Sequence, residues 1–387
     1  MLANKILIIF IYILNNLLTL AHTQDTDGEL LAVSLLYRHG DRTPESFYQD
    51  DPYKDPSFWP VLPGELTNDG KRRHYNLGKW LRERYNDFLP QKYSPTDIYV
   101  RSADINRCLD SATTDLSGLF PPKDDQIWDS TLPWQPIPVH TVAIETDGVI
   151  ELEKPCPKFD YLSKKLANTG TYGKIEKNNK KLYEYLTNAT GDHIHKLSQA
   201  SHLYDTLFIE SLYNYTLPDW TKEVYPEPLL TCSKQSFAFR TSTPKLAKFR
   251  VGQIFHKIEK QFNNFTSKST SHTHKLKVYS VHDSNIFDIL NSLGTPNMEL
   301  IPYAATLIFE LRNSTSGTFV RMLYKTDNVT AVSIGGCDLN CSYSDFLKKL
   351  KPLKLSNSEW EKACKLSAIE SVEESIKSIF DDLFWFL

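Results

Sequence analysis

The sequence predicts an α/β fold: a mainly parallel sheet with helices on both faces, plus a smaller helical cap. Three apolar, β-branched runs predict the sheet, and each stops abruptly at polar residues: "LLAVSLLYRHGDR" (30–42), "DIYVRSADINR" (97–107) and "LKVYSVHDSN" (276–285). Runs this short and this continuously apolar suit strands buried on both faces. Segments that read as helix alternate with them, which implies parallel pairing. Between about 150 and 240 the alternation gives way to charge, Tyr and Leu, with helical spacing in "KKLYEYL" and "LYDTLFIESLYNY". That change of texture predicts the cap.

Taken in order, Lys5, the apolar stretch "ILIIFIYILNNLLTL" (6–20) and small residues around Ala21 read as a secretory signal over 1–21. The mature chain is then expected to start between His22 and Gln24. An uncleaved anchor is the competing reading, opposed by the Asn15-Asn16 interruption and the short apolar length. The α/β domain has a first part at 28–149, the helical cap or insertion at 150–240 and a second part at 241–365, followed by a C-terminal tail at 366–387. In the first part, "TNDGKRRHYNLGKWLRERYNDFL" (67–89) predicts a helix with Leu77, Trp80, Leu81, Tyr85 and Phe88 on one stripe and Thr67 or Asn68 as its cap. In the second, "TPKLAKFRVGQIFHKIEKQF" (243–262) predicts a helix ahead of the third strand. The tail's "IFDDLFWFL" is too short and too broken by acids to span a bilayer, so it docks as a terminal helix or stays loose.

Composition narrows the function. With 387 residues, 41% hydrophobic, the chain can bury a substantial core in one large domain or two modest ones. A net charge of -3 argues against non-specific nucleic-acid binding. Glycosylation sequons begin at Asn188, Asn214, Asn264, Asn313, Asn328 and Asn340, the last weakened by Cys341 as its middle residue. Six cysteines form an even set that a secretory route could oxidise. The spacing "CDLNC" is compatible with a local loop closed by Cys337 and Cys341, with a metal site as the rival idea. Sequence alone assigns none of the other pairings. "HIH" (193–195) and "HTH" (272–274) sit in polar, loop-like contexts, so no metal is expected there.

In an open parallel sheet, ligands bind at the carboxyl ends of the strands. The three polar clusters are therefore expected to converge on one pocket holding Arg38, His39, Arg42, Arg101, Arg107, His282 and Asp283. Guanidinium groups stay charged and offer forked donors that match a tetrahedral oxyanion, so several around one point indicate a phosphate or sulfate ester. A histidine among them finds its imidazolium disfavoured by like charge, which keeps a ring nitrogen free to attack. His39 is then a nucleophile, Asp283 the proton donor to the leaving alcohol, and His282 a further donor. Neighbouring arginines lower the pKa of Asp283, so an acidic working pH is expected. His74, on the first helix, either faces the pocket or packs as a structural histidine. Trp134, Trp220 and Tyr303 read as core or pocket-wall aromatics.

The pattern R-H-G-x-R-x-P fixes five positions, and its chance occurrence in a chain of this size is on the order of one in ten thousand. Together with "VRSADINRCLDSA", "LFPP", "WQPIPVHTV", "NYTLPDW", "VYSVHDSN", "IPYAA" and "CDLNC", in that order, it resembles the secreted and lysosomal animal histidine acid phosphatases, similar to the prostatic, lysosomal and venom types. The resemblance covers nearly all of the mature chain. It implies a phosphoglycerate mutase-like fold and an acid phosphatase that hydrolyses phosphate monoesters through a phosphohistidine. His39 matches the nucleophile, Arg38, Arg42, Arg101 and His282 the phosphate clamp, and Asp283 the proton donor. Gly40 would let the backbone turn tightly beneath the substrate, and Pro44 would end the loop.

The resemblance further implies no metal or other cofactor, small phosphomonoester or phosphoprotein substrates, no nucleic acid, no membrane span and a homodimer of the prostatic kind. Its disulfides match Cys156 with Cys364 and Cys337 with Cys341. A third family bridge is missing, with Ile209 and Ser280 near the expected positions, and the extra Cys108 and Cys232 could pair with each other. The protein is expected to be secreted or lysosomal. Two alternatives stay open: the same chemistry specialised for a lipid or inositol phosphate, and a non-catalytic secreted binding protein of this fold.

Overall fold

The computed structural model describes residues 27–151, 154–267, 273–295 and 298–375. The expected signal segment, its cleavage point, His272 and "IFDDLFWFL" lie outside the described residues. Three strands come from the runs anticipated above: β1 (Glu29–Arg38), β2 (Ile98–Ser102) and β3 (Leu276–Val281). They are parallel, with β3 lying between β1 and β2. Four more follow: β4 (Thr306–Ser314), β5 (Gly317–Lys325), β6 (Val329–Val332) and β7 (Asn340–Ser342). The order is β2-β3-β1-β4-β5-β6, with β7 on β5, and every pairing from β1–β4 onward is antiparallel.

The class is α/β as expected, but the sheet is mixed rather than mainly parallel. The reason is local. β4 and β5 are joined by a hairpin in which Ser314 pairs with Gly317, and Gly317 takes a φ of 114° that favours glycine. A connection of two residues can only reverse the chain, whereas parallel neighbours need a crossover.

Helices cover both faces, as expected. Alternate residues of β1 point to opposite sides. Val33, Leu35 and Tyr37 pack with Leu77 and Leu81 of α1 (Asn68–Arg84) and Leu116 of α2 (Asn106–Leu119). Ala32 and Leu36 face Ile254 and Phe255, on the helix that runs from Pro244 to Thr266, and Phe287, on the helix after β3. Each such side chain removed from water contributes roughly 1.5–3 kcal/mol. Thr67 caps α1 by accepting a hydrogen bond from the Gly70 amide at 3.2 Å. Helices α1 and α2 meet backbone to backbone: a Cβ added to Gly78 would stand 1.9 Å from the Asp115 carbonyl oxygen.

Five helices come next: α3 (Pro157–Ala167), α4 (Gly170–Asn178), α5 (Lys180–Thr190), α6 (Leu197–Leu212) and α7 (Leu229–Phe239). Leu186, Leu197, Leu203, Leu207 and Leu229 form an apolar cluster of their own, joined by Tyr48 from the loop after β1. That loop grips the helices through aromatic contacts, with Tyr53 stacked on Tyr215 at 4.4 Å and Trp59 edge-on to Tyr213 at 5.1 Å. The chain returns to the sheet through α8 (Pro244–Thr266) and α9 (Asp283–Ser292), then ends its described course with α10 (Tyr343–Leu350) and α11 (Asn357–Ala363). Residues 368–375 are also helical and dock on α3, where Lys164 meets Glu374 at 3.2 Å.

Disulfides join Cys156 to Cys364 and Cys337 to Cys341, the pairs the resemblance implied. The first closes a separation of 208 residues, a loop long enough for a stabilisation on the order of 5 kcal/mol in the chain-entropy account. Cys108 and Cys232 are both buried free thiols, which corrects the expectation that they pair. Cys108 packs in the core beneath the sheet and Cys232 among the helices of the separate cluster, so two cores hold them apart.

Candidate active site

The carboxyl ends of β1, β2 and β3 lie on one edge because the strands are parallel and in close register: Arg38 pairs with Val281, and Ser102 with Ser280. All three polar clusters meet there. The Arg38-to-Arg42 loop is pinned on its far side by α1, where a Cβ on Gly40 would lie 2.6 Å from the Gly70 carbonyl oxygen. Gly40 is therefore required for close approach to α1, not for a left-handed turn.

His39 is 2% exposed, and its backbone amide donates to the Val281 carbonyl at 3.0 Å. Its Nδ1 lies 2.9 Å from the carbonyl oxygen of Gly40. A carbonyl oxygen only accepts, so Nδ1 carries the proton and Nε2 keeps its lone pair. Burial, then the charges of Arg38, Arg107, His282 and Arg42, hold the ring well below the usual histidine range. The neutral ring is the favoured form. The His39 carbonyl accepts from the amide of Ala304 at 3.3 Å, and Ala304 holds a φ of 56°, a left-handed conformation costly for alanine.

Each cation expected in the pocket already has a carboxylate. Arg38 meets Asp283 Oδ2 at 2.9 Å, donates to the Ile301 carbonyl and lies 4.1 Å over the Tyr303 ring. Arg42 reaches Asp205 Oδ2 at 2.9 Å and Glu45 Oε1 at 3.3 Å. Arg107 takes the same Glu45 oxygen at 2.8 Å. Arg101 is paired at 2.7 Å with Asp147, a fully buried carboxylate that also accepts the amides of Val149 and Ile150. His282 Nε2 stands 3.3 Å from Glu151 Oε1, and its Nδ1 stands 4.0 Å from the Cys108 sulfur. Burial opposes its charge, yet Cys108 and Glu151 outweigh that and raise the ring above the usual histidine range, which favours the cation.

Asp283 begins α9, where the helix dipole favours an anion. Burial raises its carboxyl, but Arg38, His282, Arg42 and Arg240 outweigh that and hold it below the usual range. Six of the seven residues expected in the pocket thus come together; Arg101 does not, because on β2 it sits level with Leu36 rather than Arg38, below the strand ends, and its guanidinium is taken by buried Asp147. His74 does not join them: it is fully buried, its Nε2 is 3.1 Å from the Arg38 carbonyl oxygen, and burial pushes it down to about 3. It supports β1 from α1 as the packed structural histidine. Tyr303 is a wall of the site, and Trp220 packs edge-on against Tyr48 in the helical cluster. Among the described residues no group of three or more His, Cys, Asp or Glu side chains is arranged to hold a metal ion.

Glu45, Asp147, Glu151 and Asp205 were not anticipated. Glu45 stood inside the first motif's own loop, while Asp205 was visible only as an acid within the apolar pattern of α6. Asp147 and Glu151 lie in a segment with no periodicity, so nothing in it signalled a contact with Arg101 or His282.

Residues 29–325 match the family model of the histidine phosphatase superfamily, branch 2. Over 347 residues the chain is 35% identical to lysosomal acid phosphatase of Homo sapiens, covering 87% of this chain and 80% of that one. Over 376 residues it is 34% identical to prostatic acid phosphatase of Bos taurus, covering 94% and 96%. Among solved structures it is similar to the apo form of Hafnia alvei phytase, with a TM-score of 0.63 at 19% identity over 88% of this chain and 98% of that one. The phytase of Citrobacter braakii gives a TM-score of 0.62 at 16% identity, over 88% and 100%. These two likenesses concern the fold. The chain belongs to the histidine phosphatase superfamily, branch 2, and is a phosphoric monoester hydrolase of the acid phosphatase kind.

Proposed function

We propose that His39 Nε2 is the nucleophile, Asp283 the proton donor, and Arg38, Arg42, Arg107 and His282 the holders of the phosphate in this acid phosphatase, Arg107 standing where Arg101 was expected. The observation that carries the assignment is the tethering of His39 Nδ1 to the Gly40 carbonyl, which leaves Nε2 unprotonated inside a ring of cations. Nε2 attacks phosphorus, the N–P bond forms as the bond to the ester oxygen breaks, and Asp283 gives its proton to the departing alcohol. Water then attacks the phosphohistidine, Asp283 takes back a proton, and phosphate leaves. The guanidinium groups hold the equatorial oxygens throughout.

Asp283 starts this sequence paired with Arg38 and tuned against protonation. A bound phosphate dianion draws Arg38 away and adds negative charge beside the carboxyl, and both changes favour its protonated form. An acidic medium supplies the proton. A secreted or lysosomal location fits this requirement, the lysosomal relatives and the two disulfides. In the same reading residues 150–240 are a helical cap, supported by their separate apolar cluster. The side chains of Asn188, Asn214, Asn313 and Asn328 are exposed for glycosylation, whereas Asn264 is half-buried with its amide on Thr273.

The test is phosphate release from an aryl phosphate at about pH 5, with wild type beside His39→Ala and Asp283→Ala. A radiolabelled phosphate should be trapped on wild type as an acid-labile adduct and not on His39→Ala. Wild-type turnover by His39→Ala would reject the mechanism.

A further inference from the structure

The floor of the site is basic, but its mouth is acidic. Glu45, from the loop after β1, and Asp205, from α6, converge on the Nη2 of Arg42 at 3.3 and 2.9 Å. Glu45 also holds Arg107 at 2.8 Å. The two guanidiniums are 7% and 11% exposed at their side chains, whereas Glu45 is 51% exposed and Asp205 31%. Both carboxylates therefore lie outward of the arginines, on the side where a leaving group would project. Arg42 Nε and Arg107 Nε are buried without a partner, so these side chains keep unused donor capacity after the rim acids are counted.

We propose that Glu45 and Asp205 are specificity-determining residues that select phosphate monoesters with a neutral or cationic alcohol near the ester bond and reject polyanions such as inositol polyphosphates. The inference rests on the phosphate-holding role assigned to Arg42 above. A lone phosphate can enter beneath the rim and take Arg42 between the two carboxylates. A second anionic group on the leaving alcohol would stand against Glu45 and Asp205 instead, at a distance where like charges repel measurably. Burial raises the Glu45 carboxyl, but Arg42, Arg107 and His282 outweigh that and keep it below its ordinary value, which favours its charged form. The shared fold does not carry a shared preference. A phytase of the same architecture must accept a ring of phosphates, and the residues at the mouth decide that difference.

The experiment compares three aryl phosphates with the same ring: unsubstituted, para-carboxylate and para-trimethylammonium. For each, kcat/KM of Glu45→Gln and Asp205→Asn is divided by that of wild type, which cancels the intrinsic reactivity of the leaving group. The quotient for the carboxylate ester should exceed that for the cationic ester by about fivefold to tenfold, and the gap should shrink in high salt. Wild type should release phosphate from myo-inositol hexakisphosphate far more slowly than from phenyl phosphate, and Glu45→Gln should narrow that ratio. Equal quotients for all three esters in both variants, with phenyl phosphate still hydrolysed, would overturn the rim assignment alone. Failure of wild type to hydrolyse phenyl phosphate would instead overturn the phosphatase mechanism on which it rests.

Discussion

Two sets of carboxylates in this chain meet opposite fates. In the cradle, Asp283 and Glu45 each lie against guanidinium groups, and both are held below their ordinary range although burial pushes the other way. Under the helical cluster, Asp51 and Glu210 are 2% and 0% exposed, and among the described residues neither makes an ion pair. The two carboxyls lie close enough for the charge of one to act on the other, beside the buried Tyr48 hydroxyl. Burial, then the charge of Asp51, pushes Glu210 up to about 9, and burial raises Asp51 as well. Burial alone therefore does not decide whether an acid is charged. The partner decides: a cation leaves a carboxylate ready for chemistry, and a second acid favours the protonated, neutral form.

The largest effect should come from emptying the cradle of its nucleophile. His39→Ala should lower kcat by roughly 10⁴-fold or more while leaving the thermal midpoint near that of wild type, as read by circular dichroism. Breaking the buried Arg101–Asp147 pair below the cradle should do the reverse. Asp147→Ala leaves Arg101 charged and unpaired and costs about 3–5 kcal/mol, measured as a lower urea midpoint. Asp147→Asn should lose less, because its amide oxygen still accepts the Val149 and Ile150 amides.

A third substitution sharpens the meaning of the Arg38-paired acid. Asp283→Ala should slow hydrolysis of an alkyl phosphate by about 10²–10³-fold but affect a nitrophenyl ester far less, since that leaving group hardly needs a proton. Equal losses on both would remove Asp283 from the acid role.

The smallest effect tests the other half of the comparison. Glu210 binds its proton in the native state up to about pH 9, whereas the unfolded chain releases it near pH 4.3. Between those values the native state holds more protons, so stability is greatest in acid and falls as pH rises. Glu210→Gln should match wild type near pH 5 and exceed it near pH 8 by about 1–2 kcal/mol. A wild-type thermal midpoint that rises between those pH values would contradict the reading of Glu210 as a buried, protonated acid.

The sequence by itself determined the ends of β1, β2 and β3, the two long helices α1 and α8, and, Arg101 apart, the polar residues that meet in the pocket. These are local properties: a run of apolar residues ends where a strand ends, and a helix repeats its stripe every turn. It also carried the family, because the spacing of R-H-G-x-R-x-P leaves little to chance.

Only the tertiary structure decided the rest. It turned the sheet antiparallel after β1, put Cys108 and Cys232 in different cores, and withdrew His74 beneath the strand. It also gave each arginine its own acid, drawing Asp147 from a loop and Asp205 from a helix 163 residues beyond Arg42. A charge carries no periodic signature. Its partner is whichever opposite charge the packing of distant apolar faces brings within hydrogen-bond reach, and that is a property of the assembled fold.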